Sequence, residues 1–126
     1  MSLCLAAAGL VVQLGVSQLT LSWTHSVQKT VWEEDWRLTP RGLLLVQARV
    51  MGSGAGMDPP PEARREGDFW VWKPQREPVP IMTLRRSGAT DDWRLCYEGR
   101  CRSMSEFVPA DADPVVLKSC APPSVR

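Results

Sequence analysis

The sequence predicts an all-β fold, a single small antiparallel β-sandwich or partly open barrel that carries a proline-rich loop. Three observations carry this expectation. From Gln18 to Val27 apolar and polar residues alternate, the period of two that a strand buried on one face requires. Short β-rich runs follow, each closed by turn residues, at the spacing of sheet proteins. No stretch keeps a helical period, and eleven prolines and nine glycines punctuate the 126 residues.

Taken in order, the first sixteen residues are apolar enough to suggest export, and Ala6-Ala7-Ala8 looks like a cleavage site. No Lys or Arg precedes the run, which is too short to span a bilayer, and a buried first strand or hairpin explains it equally well. Strands are then expected at 18–27, 30–38 and 43–51. Thr39-Pro40-Arg41-Gly42 turns the chain between the last two, and Gly52-Ser53-Gly54-Ala55-Gly56 ends the third. Residues 57–66 contain Pro59-Pro60-Pro61, which excludes a helix interior or a central strand and makes a stiff surface loop. Further strands are expected at 69–73, 79–86, 93–97, 100–104 and 115–118, with residues 121–126 as a flexible tail. One domain spans residues 1–126.

The charge balance removes several function classes. Fifteen basic and fourteen acidic residues leave a net charge of +1, and both signs mix along the chain, so no electrostatic footprint for nucleic acid exists. Arg64-Arg65 lies near Trp70 and Trp72, as a base-stacking surface would require, but Glu66, Asp68 and Glu77 interleave and repel phosphates. No cofactor motif and no transmembrane segment are present.

The first hairpin concentrates the chemistry. With Gln28-Lys29 as a two-residue loop, His25 faces Trp32, Trp23 faces Glu34 and Leu21 faces Trp36. Leu21, Trp23, Val27, Trp32, Trp36 and Leu38 then share one face with the lone His25 and with Glu34. Ser22, Ser26, Glu33, Asp35 and Arg37 take the other face. An imidazole and a carboxylate among indoles must be hydrogen-bonded, because an unpaired polar group costs roughly a few kcal/mol to bury. Two readings stay open: a satisfied His-Glu pair that pins register, and a ligand pocket with Trp23, Trp32 and Trp36 as walls and His25 and Glu34 as polar contacts. A general base at His25 oriented by Glu34 would make a small hydrolase or isomerase, but Ser26 points to the opposite face and completes no triad. Glu33, Glu34 and Asp35 alternate faces, which argues against a three-carboxylate metal site.

The run Gly52, Ser53, Gly54, Ala55, Gly56 lacks the Lys-Ser or Lys-Thr pair and the helix start of a P-loop. A tight turn is expected, with a backbone anion nest as the alternative. A Glu98-Gly99 turn makes Cys96 and Cys101 a closely spaced cross-strand pair able to form a disulfide. Cys4 and Cys120 would clip the chain ends, and a four-cysteine zinc site is the alternative without the usual short knuckle spacing.

The segments Thr24 to Arg37 (THSVQKTVWEEDWR), Ala48 to Pro61 (ARVMGSGAGMDPPP) and Trp93 to Arg102 (WRLCYEGRCR) resemble a bacterial family of small domains of unknown function. Genes of that family often lie beside the fused membrane subunit of TAXI-type TRAP transporters. The family commonly has Glu where this chain has Gln28. The resemblance implies no established activity and supplies a transport context. The expected function is therefore a non-enzymatic accessory domain that binds a small anionic solute or TRAP-type transporter subunits. The hydrolase or isomerase reading and a structural protein-docking β domain are the alternatives. The lack of a clear export signal points to the cytoplasm, and disulfide bonding would point to the periplasm.

Overall fold

In the computed structural model, residues 2–24, 30–51, 59–88 and 91–120 are described. The order is β1 (Ser2–Ala7), β2 (Leu10–Gln13), β3 (Gln18–Thr24), β4 (Val31–Thr39), β5 (Gly42–Met51), β6 (Arg64–Glu66), β7 (Phe69–Trp72), β8 (Ile81–Leu84), β9 (Arg94–Tyr97), β10 (Arg100–Ser103), a 3-10 turn (Met104–Glu106) and β11 (Val115–Cys120). They form two antiparallel sheets, β2-β1-β11-β8 and β10-β9-β3-β4-β5-β7-β6. Neither sheet closes on itself, so the fold is a small all-β sandwich rather than a barrel.

The apolar run at the chain start is a hairpin. Ala8 and Gly9 both take positive φ (50° and 79°), the backbone of a two-residue turn, and β1 enters the sheet with Leu3 and Leu5 fully buried. Those leucines and Val115 and Leu117 of β11 meet Leu19, Leu21, Leu45 and Leu95 of the large sheet in one core. Among the described residues no helix is long and apolar enough to cross a membrane.

Strand β5 shows how one strand buries residues of both parities. Asp35 pairs with Gln47 but Trp36 pairs with Leu45, so Val46 is the extra residue of a bulge. On one side of it Leu43 and Leu45 face the core, and on the other Ala48 and Val50 do. Where β5 begins, Gly42 has φ 122° and an added Cβ would lie 2.4 Å from the Val79 carbonyl oxygen, so only glycine fits. There Leu43 and Val79 exchange backbone hydrogen bonds of 2.7 and 2.9 Å, which ties the two sheets together at a corner.

Several boundaries differ from expectation. Arg64–Glu66, placed in the proline-rich loop, is an edge strand, permitted because all three residues are exposed and charged. The strand expected at 79–86 is confined to Ile81–Leu84 because Pro80 interrupts ladder donors and Val79 turns to β5. Met104 leaves β10 for the 3-10 turn, where its side chain is fully buried. The 121–126 tail and the Gly52, Ser53, Gly54, Ala55, Gly56 turn or nest lie outside the described residues.

Candidate functional site: an indole face on the large sheet

The hairpin of β3 and β4 positions the site, in a register two residues away from the expected one. Trp23 lies opposite Trp32, Leu21 opposite Glu34 and Leu19 opposite Trp36. A slip of two keeps every side chain on its face, so burial alone does not distinguish these registers. The observed one puts two indoles directly across from each other, stacked at 6.1 Å with 12° between planes. The expected Gln28-Lys29 loop, with His25 and Val27, lies outside the described residues, and so does the proposed His25 general base.

Two rows cross the inner face of the large sheet. The outer row runs Trp23, Trp32, Val50, Trp70, Arg65 through five adjacent strands. Trp93 extends it beyond Trp23, at 5.0 Å between rings, and Arg65 caps it with its guanidinium 5.5 Å from the Trp70 ring centre. The second row runs Leu95, Leu21, Glu34, Ala48, Trp72. Trp72 meets Trp32 edge to face at 6.1 Å. The sandwich core covers Trp36, whereas Trp23, Trp32, Trp70, Trp72 and Trp93 stay half-buried.

Glu34 is thus framed by Leu21 and Ala48 across the sheet and by Trp32 and Trp36 along its own strand. Burial in this apolar frame pushes its pKa above the usual carboxylate range. The Trp36 indole N–H, which donates to its Oε1 at 3.2 Å, and the Arg76 charge act in the opposite direction and do not cancel that effect. Trp36 is therefore a nearly buried core residue whose indole N–H holds Glu34.

Three buried polar groups on or beside this face have no hydrogen-bond partner among the described residues: the Thr30 hydroxyl and the indole N–H groups of Trp32 and Trp70. Native interiors leave few such groups, because each unmade bond costs about 1–3 kcal/mol. All three can donate. Trp32 and Trp70 flank Val50 on the two strands beside β5, and Thr30 precedes Trp32 by two residues.

The opposite face of the same sheet is spent on structure. The Arg49 guanidinium donates to Glu33 at 2.7 Å and to both oxygens of Asp35, whose Oδ1 also accepts from Thr20 at 2.6 Å. Burial works against the Arg49 charge, but these two carboxylates outweigh it and raise its pKa. With Glu33 and Asp35 neutralised here and Glu34 on the other face, no metal-ligating cluster forms among the described residues. The zinc alternative is also replaced: Cys4 is bonded to Cys120 and Cys96 to Cys101, with Cα separations of 5.7 and 4.0 Å. Glu98 and Gly99 make the turn that pairs the latter two, with φ 52° and 77°.

A cavity of about 540 Å³ opens at one end of the indole row, between Trp23, Trp93, Arg85 and Asp91. Beside it the Arg86 guanidinium, 5% exposed, donates to both oxygens of Asp92 and to the carbonyls of Pro109 and Ala112, which fixes that wall. A second, wider groove of about 1030 Å³ borders Trp36, Arg49 and the Cys96–Cys101 disulfide. Of the residues predicted from sequence, the structure thus brings Trp23, Trp32 and Glu34 together on one face.

Thr30, Trp70, Trp72, Trp93 and Arg76 were not foreseen there. Trp70 and Trp72 alternate at the spacing of two that marks a shared face, but which strand β7 pairs with is a long-range fact. Searches among curated proteins and among solved structures gave no match. The family model for a domain of unknown function (DUF1850) matches residues 19–104, the stretch from β3 to the 3-10 turn that builds the indole face, and the chain belongs to that family.

Proposed function

We propose that this is a non-enzymatic binding domain that takes a small anionic solute on the indole face, in the service of a TRAP-type (TAXI) carrier. The observation that carries the reading is the set of unpartnered donors on Thr30, Trp32 and Trp70, gathered on or beside one half-buried aromatic face. A carboxylate oxygen is the acceptor such donors lack, and bonds to a charged acceptor are the stronger kind. Arg76 beside Glu34 and Arg65 over Trp70 add positive charge at two points of the face. Rigid indole walls supply apolar contact at low entropic cost. The carrier link rests on the family resemblance of the three sequence segments. Two disulfides fit an oxidising compartment such as the periplasm, where solute-capturing components of a carrier work.

Calorimetric titration of the intact, disulfide-bonded chain with a panel of small mono- and dicarboxylates tests this. Binding is expected, weakened about 10- to 100-fold by Trp32→Phe, which removes one donor to a charged acceptor. Thr30→Val should weaken binding and at the same time stabilise the ligand-free chain by about 1 kcal/mol, because it deletes a buried hydroxyl that has no partner among the described residues. A panel in which no carboxylate binds, with the chain folded, contradicts the reading.

A further inference from the structure

Among the described residues the two open sheets leave four edges, and three of them carry protection against pairing with another chain. The β6 edge is Arg64-Arg65-Glu66, all charged and exposed. The β10 edge carries Arg100 and Arg102 and is cross-linked to β9. The β8 edge is preceded by Pro78 and Pro80, followed by Arg85-Arg86, and flanked by the Val79 bridge to β5. Charge, proline and cover are the devices that keep natural edges apart. The β2 edge has none: Leu10-Val11-Val12-Gln13 contains no charge and no proline, and Leu10 and Val11 are 48% and 60% exposed.

The backbone says which groups this edge offers. The Leu14 N–H donates to the Leu3 carbonyl at 2.9 Å, which makes Leu3 and Leu14 a hydrogen-bonded pair. Alternation along the hairpin then makes Leu5 with Val12 and Ala7 with Leu10 the other hydrogen-bonded pairs, and Cys4 with Gln13 and Ala6 with Val11 the non-bonded ones. Val11 and Gln13 therefore point their N–H and C=O groups away from β1, toward the open edge.

We propose that β2 is a self-pairing edge, and that two copies of this chain join through it into one continuous eight-stranded antiparallel sheet. A two-fold axis at Val12 sets Val11 against the partner's Gln13 and Gln13 against the partner's Val11. Each such pair exchanges two backbone hydrogen bonds, so four form in all. Val12 meets the partner's Val12 on the core side, and exposed Leu10 is brought over to the second copy. No charged side chain lies in either strand, so the symmetric approach puts no like charges together. Charged partners would find nothing complementary on this edge, whereas an identical uncharged strand matches it at every position. Four residues a side make a contact smaller than a standard interface, so the dimer is a weak one, expected toward the top of the concentration series.

Sedimentation velocity on the intact chain over a rising concentration series is the test. The expected result is a shift from one 14.1 kDa chain to two. Val11→Lys should weaken the association at least about tenfold, while Ile81→Lys, on the opposite edge of the same sheet, should leave it unchanged. Amide exchange on the unsubstituted chain gives an independent reading that does not depend on how the variants fold. The Val11 and Gln13 amides should gain protection with concentration and the Val12 amide should not change. A chain that stays monomeric throughout, or amides at 11 and 13 that exchange equally fast at every concentration, overturns the proposal, including the case where only a strand of another protein fills the edge.

Discussion

Glu34 and Arg86 show how differently two half-hidden charges are treated. Glu34 has its proton affinity raised by burial among Leu21, Ala48 and Trp32, so the folded chain holds a proton to higher pH than the unfolded chain does. The stability this confers is full below the unfolded value of 4.5 and is lost as pH rises through the folded value. Glu34→Gln should therefore remove that slope and leave the chain more stable than the parent near neutral pH, as urea midpoints at about pH 4 and about pH 7 would reveal. An anion bound beside Glu34 favours its protonated form further, so solute affinity is expected to rise as pH falls. Arg86, by contrast, places four of its five guanidinium N–H groups, two on Asp92 and one each on the Pro109 and Ala112 carbonyls. Among the described residues, removing it leaves Asp92 with only the Trp93 backbone N–H and takes the donor from the Ala112 carbonyl, while the Pro109 carbonyl keeps the Ala112 N–H, and Arg86→Ala should cost about 3 kcal/mol in denaturant unfolding.

At the scale of elements, alternation made most of the large sheet legible. The period of two from Gln18 to Thr24 and the Glu98-Gly99 turn follow from local rules, and both are present. The same rules placed Leu21, Trp23, Trp32, Glu34, Trp36 and Leu38 on one face, as found. They did not give the register of β3 on β4, because a slip of two residues leaves the buried set unchanged and cross-strand indole stacking decides between the alternatives. The Val46 bulge was invisible for a related reason: Leu43, Leu44, Leu45 and Val46 are all apolar, so nothing in the string marks where the inward parity changes. The joining of β7 to β5, which brings Trp70 and Trp72 to the site, is set by packing between segments some twenty residues apart. Half of the indole face was therefore readable from β3 and β4, and the other half required the fold.

For the whole molecule, the two disulfides do unequal work. Cys4–Cys120 closes a loop with a separation of 116 residues and fastens the central pair β1 and β11 of the smaller sheet, whereas Cys96–Cys101 spans only 5. In the chain-entropy description the first is worth about 5 kcal/mol and the second about 2 kcal/mol. Paired Cys→Ser replacement at 4 and 120 should therefore lower the unfolding free energy by the larger amount, and the same replacement at 96 and 101 by the smaller, as compared in denaturant titrations. The division of labour between sheets is the more general point. The four-stranded sheet and the polar outer face of the large sheet supply stability, and the inner face of the large sheet beyond the core is left with aromatic surface and unpartnered donors.

The direct test of that face is the indole N–H resonances of Trp32 and Trp70 in a nitrogen-15 spectrum of the folded, oxidised chain as a small carboxylate is added. A solute that accepts from these donors should move both resonances downfield in a saturable way, move the Trp36 indole, already bonded to Glu34, by less, and slow the exchange of the two shifted protons with water. Trp32 and Trp70 resonances that stay fixed across the carboxylate panel, or that already show the protection of bonded donors in the free protein, would contradict an anion site on the indole face.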